Sequence, residues 1–366
     1  MRLGVARAVF DGEIIEGDVE VEDGLVTAFG ASPAGSGGIA VPGFVDIQVN
    51  GFAGVDFASA SPDDYGRVGT AMAATGVVAY QPTLITLPES HVVAALESLA
   101  SVEPLDSAPR IIGMHLEGPF LSPQRAGAHD PNSMLDPDPA LTERLLAAGP
   151  VSTMTLAPER PGALALIELL VGRNIRVSCG HSDATAAQAH AAFDAGATAV
   201  THLFNAQRPF NHRDPGIAGA GLSRSDVTVS IIVDGFHLAE ETLRLILAAP
   251  AQVALITDAI AAAGRPDGTY SLGDREVHVS GGSARLSDGT LAGSVLTMDA
   301  AVRNLVDAGA DLPAAIEAAT AAPARSAGRH DLGRLAVGSP ADIVVLSDDL
   351  TVERTLVGGT EVFPPR

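Results

Sequence analysis

The chain has 366 residues, 46% of them hydrophobic, which suffices for one barrel-sized domain with an appendage. Its formal net charge of -22 would repel a phosphate backbone, so nucleic acid is not expected as a partner. All 22 basic residues are arginine, and with no lysine a Walker lysine, a lysine Schiff base and a lysine carbamate bridging two metals are excluded.

The opening residues carry acidic groups too early for a signal peptide, and no later stretch reaches the apolar length of a membrane helix, so a cytoplasmic protein is expected. The single cysteine, Cys179, reads as a small buried core residue in a reducing compartment.

Residues 1–42 show short alternating segments (VARAVF, EIIEGDVEV, LVTAFG) separated by the turn signals Asp11-Gly12 and Asp23-Gly24, with a Gly/Ser-rich surface loop at 34–38. Residues 335–366 repeat this style in ADIVVLSDD and VERTLVGGTEVF. Neither piece has enough apolar face to stand alone, and the two are predicted to pair as one small β-sandwich domain.

Residues 43–334 change rhythm to short apolar runs alternating with Ala/Leu-rich amphipathic stretches, as in strands buried on both faces of a parallel sheet. The runs lie at 43–49, 76–83, 110–117, 151–157, 175–181, 198–204, 227–234 and 253–258. Eight βα units predict an α/β fold, a (β/α)8 TIM-type barrel. A Gly-rich β segment at 269–294 reads as a hairpin excursion, after which helix resumes.

In such a barrel the functional groups sit at the C-terminal ends of the strands. The runs end at or near Gln48 and Asn50, Thr83, Glu117, Glu159, His181, His202, Asp234 with His237, and Asp258. Glu117, His181 and His202 would form a three-ligand site with an open position, as catalytic zinc uses. A lone histidine would more often be a hydrogen-bonded core residue, but three such groups at matching strand ends favour a metal. Asp258, closing LITDA, is the candidate general base and acid, with a helix N-cap as its plainer alternative. Arg213 in NHRDPG is a candidate phosphate clamp, against a plain surface pair with Asp214. His115 is expected to pack near the site, while His91, His190, His278 and His330 look structural or surface-placed.

The segments PGFVDIQVNGFAGVDF, HLEGPFLSPQRAGAHDP, GHSDAT, THLFNAQRPFNHRDPGIAG, DGFHL, LITDAIAAAG and GTLAGSVLTMDAAVRN resemble, in order, the N-acetylglucosamine-6-phosphate deacetylases of the amidohydrolase superfamily. The resemblance implies that Glu117, His181 and His202 bind one divalent metal and that Asp258 activates the hydrolytic water. Zinc is the expected ion, with iron, manganese and cobalt as alternatives. It further implies that Ala128, His129, Asn205, Ala206, Arg213 and His237 contact a phosphorylated amino sugar, together with Leu291, Ala292 and Gly293. Many superfamily members hold a second metal with a His-x-His pair after the first strand. Here Gln48-Val49-Asn50 stands there, and amides are poor zinc ligands, so one metal is expected.

The implied reaction is metal-assisted hydrolysis of N-acetyl-D-glucosamine 6-phosphate to D-glucosamine 6-phosphate and acetate. Asp258 would take the water's proton and return it to the departing nitrogen, with His237 or His129 helping to stabilise the oxyanion. A homodimer is implied, with Arg213 reaching into the neighbouring subunit. The rivals are the same reaction on N-acetylgalactosamine 6-phosphate, a cyclic-amide hydrolysis, and an inactive barrel acting as a binding protein.

Overall fold

The computed structural model describes residues 1–103 and 108–364. Its centre is a parallel ladder that runs from Val77–Leu84 through Met114–Glu117, Val151–Leu156, Arg176–Cys179, Ala199–Val200 and Thr228–Ile231 to Gln252–Leu255. Phe44–Val49 pairs with Val77–Leu84 on the other side, as the first barrel strand. The ring closes where the Asp258 N–H donates to the Gln48 carbonyl at 3.0 Å and Val49 bridges to Ala259. Closure therefore falls on two of the predicted site residues.

The second strand, Val77–Leu84, is buried at all of its positions, its polar Gln81 and Thr83 included, which is why its sequence shows no inside–outside alternation. The helices supply the outer layer through one apolar stripe each. Met298–Asp307 buries Met298, Ala301, Val302 and Leu305, the i, i+3, i+4, i+7 pattern. Helix Ala186–Asp194 begins at a capping box formed by Thr185 and Gln188, so the end of the GHSDAT segment starts a helix while its His181 faces the site.

Several strands are shorter than their apolar runs. The third run divides into Arg110–Ile111 and Met114–Glu117 at Gly113, whose φ is 94° and where a Cβ would lie 2.4 Å from Ser152 Oγ. The fifth run stops at Cys179 and the sixth at Val200, because His181 and His202 turn into the left-handed region with φ of 45° and 31°. Asp258 does the same at 48°, and no helix begins after it, which removes the N-cap reading. Gly180 is tightly packed: a Cβ there would meet Thr201 Cβ at 2.8 Å and Thr155 Cγ2 at 2.9 Å.

The two ends of the chain interleave in one six-stranded sheet. Its order is Glu13–Glu16, Val5–Phe10, Gly37–Pro42, Ile343–Leu346, Val352–Val357 and Thr360–Phe363. Gly37–Pro42 runs antiparallel to Ile343–Leu346, and a second ribbon, Asp18–Glu22 with Leu25–Ala31, packs across this sheet. The core between them holds Val5, Val19, Val21, Val26, Ile343 and Leu356. EIIEGDVEV, read as one segment, is broken at Gly17, whose φ of 114° and 2.5 Å approach to the Gly30 backbone exclude a side chain. A two-pronged ion pair, Arg110 with Asp342 at 2.6 and 3.0 Å, ties this layer to the barrel.

The excursion is a three-stranded antiparallel meander rather than a single hairpin: Gly268–Leu272, Arg275–Ser280 and Ser283–Arg285. It stands beside the C-terminal rim of the barrel and forms one wall of the cavity there.

Candidate active site

Three atoms converge at that rim. Glu117 Oε1 lies 2.9 Å from His202 Nε2 and 3.2 Å from His181 Nε2, and the two imidazole nitrogens are 3.1 Å apart. Donor atoms held at zinc-like bond lengths in a tetrahedral shell are roughly 3.3 Å apart, so the triad already has the spacing of three corners around one ion. All three residues are buried, and a carboxylate with two imidazoles is a donor set that divalent transition metals accept. The buried Nδ1 of His202 has no hydrogen-bond partner in the protein.

The main chain decides which nitrogens are free to coordinate. His181 Nδ1 lies 2.9 Å from the Arg125 carbonyl, which can only accept, so the proton sits on Nδ1 and the Nε2 lone pair faces the triad. His129 is the reverse case. The Thr86 N–H donates to its Nδ1 at 3.1 Å, so a neutral ring must carry its proton on Nε2, 3.7 Å from Glu117 Oε2. Glu117, His129 and His181 also lie within 4.8 Å of one another as possible ligands, but a protonated Nε2 cannot coordinate. The triad with His202 is the tighter of the two clusters, and His129 presents a hydrogen-bond donor rather than a lone pair. Burial and the neighbouring His181 push His129 down to about 4, which keeps it neutral near pH 7.

Burial opposes charge on Glu117, yet the imidazoles of His129, His181 and His202 gathered around it hold its carboxyl well below the usual carboxylate range. Asp258 differs in kind. Burial, then the charge of Glu117, raises it to about 6, the range in which a carboxylate can both accept and return a proton.

The amides of the first strand serve these two acids. Gln48 Nε2 donates to Glu117 Oε1 at 3.2 Å and to Asp258 Oδ1 at 3.3 Å, and Asn50 Nδ2 donates to the same Asp258 oxygen at 2.7 Å. Both bonds fall on Oδ1, which leaves Oδ2 unengaged by them. Beneath them buried Asp46 accepts from the Thr257 hydroxyl at 2.6 Å and so clasps the first strand to the segment that carries Asp258.

A cavity of about 360 Å³ opens above the triad, lined by Asn50, Glu117, Ala128, His129, His181, His202, Asn205, Ala206, His237, Asp258, Leu291 and Gly293 among others. The structure thus brings most of the sequence-predicted residues to one surface. Gln48 is buried beneath it, and Ala292 is buried between Leu291 and Gly293, which face it. Arg213 is not brought there: its side chain is exposed outside the cavity wall of its own chain. Nor does it pair with Asp214, which bonds Arg208 at 2.6 Å instead.

Some supporting residues carried a sequence signal that was not converted into a role. Asp234 ends the seventh run, and its Oδ2 accepts from His237 Nδ1 at 2.7 Å, fixing that ring with Nε2 unprotonated when neutral. Glu159 accepts from Ser182 Oγ at 2.8 Å and the Asp183 N–H at 2.6 Å, steadying the turn after His181. Thr86, whose N–H sets the His129 tautomer, gave no signal, because the group that acts is main chain.

Comparison with known proteins agrees with this geometry. The Amidohydrolase family model matches residues 39–362. An N-acetylglucosamine-6-phosphate deacetylase from Danio rerio is 40% identical over 345 residues, covering 89% of this chain and 84% of the relative. An N-acetylgalactosamine-6-phosphate deacetylase from Escherichia coli O157:H7 is 37% identical over 359 residues, covering 95% of both chains. A mutant N-acetyl-D-glucosamine-6-phosphate deacetylase from Mycobacterium smegmatis, solved in complex with N-acetyl-D-glucosamine-6-phosphate, superposes with a TM-score of 0.92 at 38% identity over 99% of both chains. With a metal-ready triad, a tunable carboxylate and these relatives along nearly its whole length, the chain belongs to the amidohydrolase family, among the N-acetylglucosamine-6-phosphate deacetylases.

Proposed function

We propose that this protein hydrolyses the acetamido group of N-acetyl-D-glucosamine 6-phosphate, releasing acetate and D-glucosamine 6-phosphate. The observation that carries the reading is the placement of Asp258, raised to about 6, in one cavity with the Glu117/His181/His202 triad. A single divalent ion held by Glu117, His181 and His202, which we take to be zinc, supplies Lewis acidity toward water and the amide oxygen.

The chain's own groups do the rest. Asp258 takes a proton from the attacking water and hands it to the sugar nitrogen as the C–N bond breaks. Gln48 and Asn50 hold its Oδ1 by hydrogen bonds. His129, a donor through Nε2–H, stabilises charge developing on the carbonyl oxygen. His237, held by Asp234, orients the sugar alongside Asn205 and Ala206. The substrate lies along the wall of Ala128, Leu291 and Gly293, with Ala292 packing behind it. Arg213, exposed on its own chain, serves the cavity of a partner subunit in a homodimer. The enzyme acts in the cytoplasm; among the described residues no helix is long and apolar enough to cross a membrane. Residues 1–42 and 335–366 form the supporting domain and residues 43–334 the catalytic barrel.

The test is acetate release by metal-analysed protein from the glucosamine and galactosamine 6-phosphate substrates and from unphosphorylated N-acetylglucosamine, with Asp258→Asn as control. Turnover led by the glucosamine substrate and lost in the control supports the proposal. Well-folded, metal-loaded protein that released acetate from neither phosphorylated sugar would falsify it.

A further inference from the structure

A phosphorylated sugar brings close to two negative charges into a cavity whose inner end already holds Glu117 and Asp258. Among the described residues lining that cavity, Arg285 is the only arginine, and in a chain without lysine it is the only permanently cationic side chain there. It ends the third strand of the excursion, Ser283–Arg285, and its main chain bridges to Leu291. Its Nη1 donates to the Gly289 carbonyl at 2.8 Å, which anchors the guanidinium on the turn that leads back to Thr290 and Leu291. A guanidinium has five N–H donors. Among the described residues no carboxylate pairs with this one, whereas Arg208, Arg125 and Arg224 are each committed to aspartates.

We propose that Arg285 is a specificity-determining residue that contacts the substrate's phosphate from within the same chain. This assignment rests on the deacetylase reading. It adds to Arg213 a cation that needs no second subunit: an anchored guanidinium at the cavity wall offers its remaining N–H groups to phosphate oxygens. In a protein of net charge -22, a fixed cation beside the cavity also favours entry of a dianion over a neutral sugar.

The experiment measures kcat and KM of wild type, Arg285→Ala, Arg285→Lys and Arg213→Ala on N-acetylglucosamine 6-phosphate and on unphosphorylated N-acetylglucosamine, with inorganic phosphate as a competing anion. Metal content and melting temperature serve as the folding check. Loss of a charge-assisted contact predicts that Arg285→Ala lowers the preference for the phosphorylated sugar, as a ratio of kcat/KM, by about 10-fold or more. The change falls mainly on KM, phosphate inhibits the variant more weakly, and Arg285→Lys recovers part of the preference. An unchanged preference, or an equal fall for both sugars, overturns the assignment. Wild type inert toward both sugars removes the deacetylase reading and this assignment with it, a result separable from failure of Arg285 alone.

Discussion

The same backbone conformation occurs at two places in the molecule for opposite reasons. In the terminal layer Asp11 and Asp23 have φ of 46° and 50°, each followed by a positive-φ glycine, and they make tight hairpin turns for which Asp-Gly is suited. At the barrel rim His181, His202 and Asp258 have φ of 45°, 31° and 48° at strand exits, outside any two-residue hairpin. A non-glycine residue held there costs on the order of 1–3 kcal/mol, and such strain collects at functional sites. The terminal layer is arranged for stability, whereas the rim gives some up so that three side chains can face one point.

The comparison can be tested by asking which changes spare folding and which spare chemistry. The largest effect is expected from Asp258→Asn, which should lower kcat by about 1000-fold or more while leaving the melting temperature unchanged or higher. A rim built for stability would instead make that variant melt earlier. Gln48→Ala removes the amide shared by Glu117 and Asp258 and should reduce kcat/KM by roughly 10- to 100-fold, read together with metal content. Because Asp258 must be ionised to accept a proton, kcat/KM should fall as the pH drops below about 6. A profile flat down to pH 4.5 would sink Asp258 as the base.

Smaller effects bear on stability. Burial raises Asp46 to about 7. Its folded form therefore binds more protons than the unfolded chain between about pH 4 and 7, so this group's contribution declines as the pH rises through that window. The cost of Asp46→Asn, measured by denaturant unfolding, should be smaller at pH 8 than at pH 5 by on the order of 2 kcal/mol. At the terminal layer, Asp342→Asn weakens the pair with half-exposed Arg110 and should cost about 1–2 kcal/mol with kcat unchanged. A large fall in kcat there would erase the contrast between the two regions.

What the sequence disclosed follows the same division. Largely apolar runs mark the barrel strands because burial on both faces favours apolar residues, with buried polar exceptions such as Asp46 and Gln81, and Asp-Gly marks the hairpins because few residues take positive φ. Glu117, His181, His202 and Asp258 were legible as polar groups closing apolar runs. The early ends of the fifth and sixth strands were not, since Val200, Thr201 and His202 read as uninterrupted β sequence while the chain already leaves the ladder after Val200. Arg285 was hidden too, because in SARLSDG it looks like an ordinary outward residue of a hairpin, and only the folding of the excursion against the rim turns it toward the cavity.

The opposite tautomers of His181 and His129 carry a further consequence. Each is written by a peptide group, the Arg125 carbonyl in one case and the Thr86 amide in the other, rather than by a neighbouring side chain. A substitution scan of the surrounding side chains would leave these instructions in place, since every amino acid except proline at position 86 presents the same N–H, and any residue at position 125 the same carbonyl. The division of labour between a ring that can coordinate and a ring that can donate is thereby insulated from sequence drift around it. It yields only to a shift of the loops themselves, to proline at position 86, or to replacement of the Thr86 amide by an ester.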